Sequence, residues 1–186
     1  MKKYIMLSGL LFTMVILMVV GCDFDTNNTP TKQVELFLAD YQTLNKDVMD
    51  DLHQVIIEDA TFNEKQQERY KELMKKHYQN LTYDIMEEKI DGDEATVVTQ
   101  IEVTDYTKAN SKASVYRENH KEEFYNENGK YDATLFYDYI LDQFEKVKDK
   151  VTYTINFKVK QNSSGKWKLE PLTEEQEKKI HGVYEY

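Results

Sequence analysis

The chain has 186 residues, with 24 Lys and Arg against 34 Asp and Glu, a formal charge of −10, and one cysteine. That charge excludes nucleic acid as a natural partner, because a polyanion recruits basic surfaces. A single thiol excludes an internal disulfide, so the fold is expected to rest on core packing, in a length that suits one domain.

The first residues read as an export signal. Lys2 and Lys3 form a short positive region, and Tyr4 to Val20 carries no charge, the pattern of a signal peptide. At 17 residues the run is at the short limit for a spanning helix. The residues at its end decide: Val19-Val20-Gly21-Cys22 puts a small residue before the only cysteine and resembles the lipobox of bacterial lipoproteins. The resemblance implies that the Cys22 thiol takes diacylglycerol, with acyl chains such as palmitate, and that the chain is cut before it. Residues 1–21 are then a signal peptide, and residues 22–29 are the lipidated cysteine and a short polar tether. Two or more acyl chains suffice for stable anchoring at the outer, extracytoplasmic face of the cell membrane. Loss of Lys2 and Lys3 leaves 22 basic residues against 34 acidic ones, a mature charge of −12. Such a domain is repelled by anionic headgroups and stands off the bilayer. Abundant Lys, Asn, Tyr and Ile with two prolines suggest an AT-rich genome and favour a Gram-positive source.

Three helices come next. Thr29-Pro30 is a helix start with proline at the first helical position, and Val34, Leu38, Tyr41 and Leu44 recur on one face. A second stretch carries Val48, Leu52, Val55 and Ile56. A third begins with Thr61 and Glu64 in capping-box spacing and continues through Tyr70, Leu73, Met74 and His77.

The period then changes from 3.6 to 2. Residues Leu81 to Ile90 and Glu94 to Tyr106 flank Asp91-Gly92-Asp93, a hairpin turn. Ala95, Val97, Ile101 and Val103 take one face of the second strand, with Val98 and Thr99 as exceptions to clean alternation. Later, Val151, Tyr153, Ile155, Phe157 and Val159 alternate strictly with polar residues, and the turn Asn162-Ser163-Ser164-Gly165 leads to Trp167 and Leu169. This second hairpin has one core face and one wet face.

Between the hairpins lie about forty residues of helical pattern. Ala109, Ala113, Tyr116, His120 and Phe124 form one face, Leu135, Phe136, Tyr139, Ile140, Phe144 and Val147 another, and Asn126 to Asp132 a turn between them. A last short helix starts at Thr173, with Gln176 in capping-box spacing. The expected fold class is α+β: helices on one face of a curved antiparallel sheet built from two hairpins, in one domain over residues 30–186, with a helical insertion at about 107–150.

An anchored protein with amino-terminal helices feeding such a sheet resembles the NTF2-like or cystatin-like lipoproteins of Gram-positive bacteria. The likeness rests on Cys22, on the Thr29-Pro30 helix with Val34, Phe37, Leu38 and Tyr41, and on hairpins ending in Lys166-Trp167-Lys168-Leu169; it covers Pro30 to about Leu172. The insertion departs from the family pattern and would cap the pocket such folds often carry. Many of these lipoproteins have no assigned activity, so the resemblance implies a scaffold more than a function.

No motif identifies a reaction. There is no Gly-x-Ser-x-Gly elbow, no phosphate loop, and no thiol nucleophile once Cys22 is lipidated. No metal is expected either. Asp91, Asp93 and Glu94 read as an acidic turn. Asn126, Asn128 and Gly129 fall at positions three, five and six of a calcium loop, but Phe124 and Leu135 stand at positions one and twelve, where carboxylates are required. The histidines lack zinc-site spacing. His120 is the one catalytic candidate, sharing a helix face with Tyr116 and Phe124. Tyrosine is in excess, 14 residues, and makes rigid amphipathic contact surfaces; Tyr116, Tyr137 and Tyr139 are the ligand-binding candidates. The leading expectation is a non-enzymatic module, without cofactor, that binds a small ligand or an envelope protein. The alternative is an NTF2-like enzyme acting on a small extracytoplasmic substrate, with His120 or a buried carboxylate as base.

Overall fold

Helix α1 (Pro30–Thr43) starts where Thr29 accepts a hydrogen bond from the Lys32 N–H and Pro30 fills the first turn. The computed structural model describes residues 28–58 and 62–185, with the side chains of residues 57 and 58 excepted. Cys22 and the whole signal segment lie outside the described residues, and among the described residues no helix is long and apolar enough to cross a membrane.

The described chain runs α1, α2 (Lys46–Glu58), α3 (Glu64–Gln79), β1 (Thr82–Asp91), β2 (Glu94–Thr104), α4 (Thr107–Asn119), α5 (Ala133–Phe144), β3 (Lys150–Gln161), β4 (Trp167–Leu169) and α6 (Glu174–Ile180). The strands form one curved antiparallel sheet in the order β1-β2-β3-β4. The two hairpins are joined through the β2–β3 ladder, in which Ala95 faces Val159, Val97 faces Phe157 and Ile101 faces Tyr153. Val34 and Leu38 of α1 pack on those side chains, with Leu81, Trp167 and Ile180 closing the core. The protein is thus an α+β fold with helices on one face of the sheet.

Both sheet edges are managed. β1 carries a bulge between Ile85 and Glu87, which breaks a run otherwise open to strand addition. β4 covers only Val159 to Gln161 of β3. Beyond it α6 takes over: Gln176 Nε2 and Lys179 Nζ donate to the carbonyls of Asn156 and Thr154, at 3.0 and 3.3 Å. On its outer side β4 is met by Asn28. The Asn28 side chain donates to the Trp167 carbonyl at 3.2 Å and accepts from the Trp167 N–H at 2.6 Å. One asparagine therefore takes the place of a strand residue and pins the start of the domain to the sheet.

Several local expectations change. The box that starts α3 is Asn63 with Gln66, each side chain bonded to the other's backbone N–H, two residues later than the Thr61 and Glu64 spacing suggests, Thr61 itself lying outside the described residues. In β2 there is no exception to alternation: positions 95, 97, 99, 101 and 103 all point inward. Thr99 simply occupies a core position, where its hydroxyl is fully buried without a partner. Since an unpaired buried hydroxyl costs free energy that an isosteric methyl does not, Thr99→Val is expected to stabilise the fold by about 1 kcal/mol, raising the melting temperature by ~3 °C. A melting temperature that falls would show that the hydroxyl is satisfied.

The insertion also differs. Its first helix stops at Asn119: His120 leaves the helical region at φ −130° and ψ 46°, its ring Nδ1 bonds back to the Tyr116 carbonyl at 3.1 Å, and the chain turns into a 3₁₀ segment, Lys121–Phe124. Ala113, Phe124 and Phe136 form a small core of their own. The turn after this segment is a copy of the β3–β4 turn. In both, Asn-x-x-Gly-Lys closes on an asparagine: Asn126 Oδ1 accepts from the N–H groups of Asn128 and Lys130, and Asn162 Oδ1 from those of Ser164 and Lys166. The asparagine oxygen that a calcium loop would offer to a cation is thus committed to the backbone. The insertion is clamped to α3 by Arg69, whose guanidinium meets Asp138, Asp142 and Glu145 of α5 and its end at 3.3, 2.6 and 3.0 Å.

Candidate functional site

A sharp corner opens an aromatic-lined cavity. Leu44 adopts the left-handed conformation, φ 54°, its N–H bonds to the Tyr41 carbonyl and the Asn45 N–H to that of Asp40. This is a Schellman end with leucine where glycine is usual. Asn45 then caps α2 at once, its Oδ1 accepting from the Val48 N–H at 3.0 Å. With no linker between them, α2 swings away from α1 and packs by Leu52 and Ile56 on Met74 and Tyr78 of α3.

On the other side of α3, Leu73 joins Tyr106 and Leu141 in a separate cluster with Phe144 and Val183. Between the two clusters lies a groove of ≈ 470 Å³. Tyr41, Tyr70, Tyr78, Tyr106 and Phe144 are its aromatic lining, Val48, Leu52, Val55, Met74 and Val183 its aliphatic lining, and Asp51, Gln54, Glu177 and His181 its polar groups. Its size and its mostly apolar surface with a few polar groups are those of small-molecule sites.

The groove is ordered by ring contacts and two histidines. Tyr78 meets Tyr41 edge-on at 4.9 Å, and Tyr106 lies at 4.8 Å from Phe144. The Tyr78 hydroxyl and His181 Nδ1 share a hydrogen bond at 3.2 Å. Behind this pair, His77 is buried, and its Nε2–H donates to the Ile180 carbonyl at 2.8 Å while Nδ1 has no partner. Burial pulls the His77 imidazole down to about 4 and lowers His181 as well. Both are therefore neutral at pH 7. Burial, and then the carboxylates of Asp51 and Glu177, push the Tyr41 hydroxyl up to about 12. Tyr78 is raised by burial, with smaller contributions from Tyr41, Tyr70 and Asp51.

The residues singled out from the sequence lie elsewhere. Tyr116 stacks on His120, rings 3.9 Å apart, and on Tyr139, 4.6 Å apart, so three of the candidates form one column on the insertion. Glu123 accepts from the Tyr116 hydroxyl at 3.0 Å. Tyr137 is not in that column; it meets Phe62 edge-on at 4.6 Å. None of Tyr116, His120, Tyr137 and Tyr139 lines the groove, and of the insertion only Phe144 does. Cys22 lies outside the described residues.

The residues missed are Tyr41, Tyr70, Tyr78, Tyr106, Asp51, Glu177 and His181. One signal was present. Tyr70, Met74 and Tyr78 recur every four residues along α3, a stripe ending in aromatics with polar tips where a sealed core would take aliphatics.

No family model matches the chain, and no curated protein matches it. Among solved structures it is similar to a "putative lipoprotein (ycdA)" of Bacillus subtilis, at 15% identity and a TM-score of 0.38, over 67% of this chain and 39% of that one. The chain thus spans well under half the length of that protein, and a likeness of this size decides nothing about function.

Proposed function

We propose that the chain is a membrane-anchored extracytoplasmic lipoprotein whose domain is a non-enzymatic binding module, with the aromatic groove as its site. The groove carries the binding half of this reading: a preformed, largely apolar cavity of ≈ 470 Å³ with a few polar groups is built to hold a ligand. The uncharged run before Cys22 supports the anchoring half. The order of helices and hairpins over Pro30 to about Leu172 favours a place among NTF2-like or cystatin-like lipoproteins of Gram-positive bacteria, with residues 1–21 cleaved and residues 30–186 a single domain.

From Cys22 to Asn28, where the chain is pinned to Trp167, six residue steps reach at most ~20 Å. Asn28 sits at the start of α1 and Tyr41 of the groove near its end, a helix length of ~20 Å away. The tether thus joins the domain at one end of α1 and the groove opens near the other, which favours ligands of the envelope space over those of the bilayer.

Cys22→Ala tests the anchor. Metabolic labelling with a fatty acid is expected to be lost completely and the precursor to remain uncut on a gel. Labelling that persists in the variant would refute lipidation at Cys22.

A further inference from the structure

We propose that the groove selects a small organic cation, an ammonium head on an apolar body. The inference rests on the reading of the groove as a ligand site and adds the charge of the ligand. Asp51 of α2 and Glu177 of α6 both stand on its lining, and among the described residues no Lys or Arg lines it. Their neighbours are paired: Asp50 with Lys46, Glu174 with Lys178, Glu175 with Lys179. Asp51 and Glu177 are in no ion pair with any described residue.

Both carboxylates act on one point. After burial, each raises the Tyr41 hydroxyl, so their negative fields overlap at that hydroxyl, on a ring that Tyr78 meets edge-on. His181, the only other titratable group on the described lining besides the tyrosines, is held neutral by burial and contributes no compensating charge. Aromatic faces beside a negative field attract a cation by their quadrupoles, and the remaining apolar lining takes its hydrocarbon part. An anion would be repelled, and a neutral ligand would leave both carboxylates unused.

The neighbouring cavity, between α3 and the end of α5, shows the contrast. It is lined by Lys65, Lys76, Lys148 and Arg69 as well as by Glu68, Glu72 and Glu145, and its acids are matched by Lys71, Lys75 and Arg69. Charge is balanced there and unbalanced in the groove.

The test uses full-length protein in lipid nanodiscs, with empty nanodiscs as the blank, and three probes sharing one body: 4-phenylbutylamine, 4-phenylbutanol and 4-phenylbutyrate. By calorimetry the amine is expected to bind about tenfold more tightly than the alcohol, and the carboxylate more weakly than either. In the Asp51→Asn, Glu177→Gln double variant, checked by its melting curve, the amine should fall to within about twofold of the alcohol measured on the same variant. Equal binding of amine and alcohol by the native protein overturns the cation selection and leaves the groove as a ligand site. Failure of all three probes overturns the groove reading and this one with it. A lysine-rich decapeptide that binds where the amine does not would overturn the small-molecule assignment in favour of a protein partner. Lipid labelling of Cys22 is scored separately and bears on the anchor alone.

Discussion

Gly182→Ala is expected to lower the melting temperature by about 10 °C. Gly182 follows α6 in the left-handed conformation, φ 69°, and its N–H and that of Val183 close a Schellman end on the carbonyls of Lys179 and Lys178. An alanine there meets a left-handed penalty of about 1 kcal/mol. The greater cost is contact: a Cβ would stand 2.0 Å from the Thr104 carbonyl oxygen and 3.2 Å from Cε1 of His77. Thr104 is held in the β2–β3 ladder opposite Lys150, so the glycine has to retreat. Retreat breaks the bond from the Tyr106 N–H to the Gly182 carbonyl and carries Val183 out of the groove. Together these reach about 3 kcal/mol or more. Gly165→Ala is the control, because Gly165 has a similar φ of 73° and an added Cβ would meet nothing within 4 Å; it should lose only ~3 °C. Equal losses in the two variants would show that close approach at Gly182 carries no cost.

The difference between these glycines also marks what was legible in the sequence. Turns, caps and alternation are local, and they were readable: Pro30 at the start of α1, the Thr173–Gln176 box of α6, the five inward residues of β3. Element order followed from them. Errors were local competitions between similar signals, as where Asn63 and Gln66 outcompeted Thr61 and Glu64 for the cap of α3. The break at His120 is of the same kind, since an imidazole bonding back to its own turn ends a helix that the apolar spacing would continue.

The groove was not legible, and the reason is sequence separation. Tyr41, Leu52, Tyr78, Tyr106, Phe144 and His181 come from six different segments and converge only because Leu44 takes a left-handed turn and α6 folds back on β3. Neither event has a strong sequence marker. The tyrosine cluster of the insertion was conspicuous because it is contiguous, and contiguity drew the candidates Tyr116, Tyr137 and Tyr139. Three of the four insertion candidates, Tyr116, His120 and Tyr139, do stack together, but on a part of the fold that packs its own small core.

Acidification should weaken the protein well above the pH at which its carboxylates titrate. In the folded state burial holds His77 down to about 4, whereas in the unfolded chain an imidazole takes its proton near 6.5. Between those values the unfolded state binds more protons than the folded one, so stability falls as pH falls, and it is fully present only above about 6.5. The structural cause is specific. Nε2–H is committed to the Ile180 carbonyl, so an added proton must go to Nδ1, which faces no acceptor. From pH 7.5 to 4 this costs about 3 kcal/mol, and His181, lowered in the same direction by burial, adds to it in the same window. The carboxylates of Glu72, Glu94 and Glu174 are held below their ordinary range by hydrogen bonds from Lys75, Lys160 and Lys178. Their contribution is lost only at lower pH, so the interval from 6.5 to about 4.5 belongs to the histidines. Urea midpoints measured across it should drop steadily for the native protein and much less for His77→Gln, whose amide can still donate to Ile180 but cannot titrate. Because the rings of Tyr78 and Tyr106 lie at 5.7 and 5.3 Å from His77, the wall of the groove is what this proton would disturb first. A native profile as flat as that of the variant would mean that His77 titrates like an exposed imidazole.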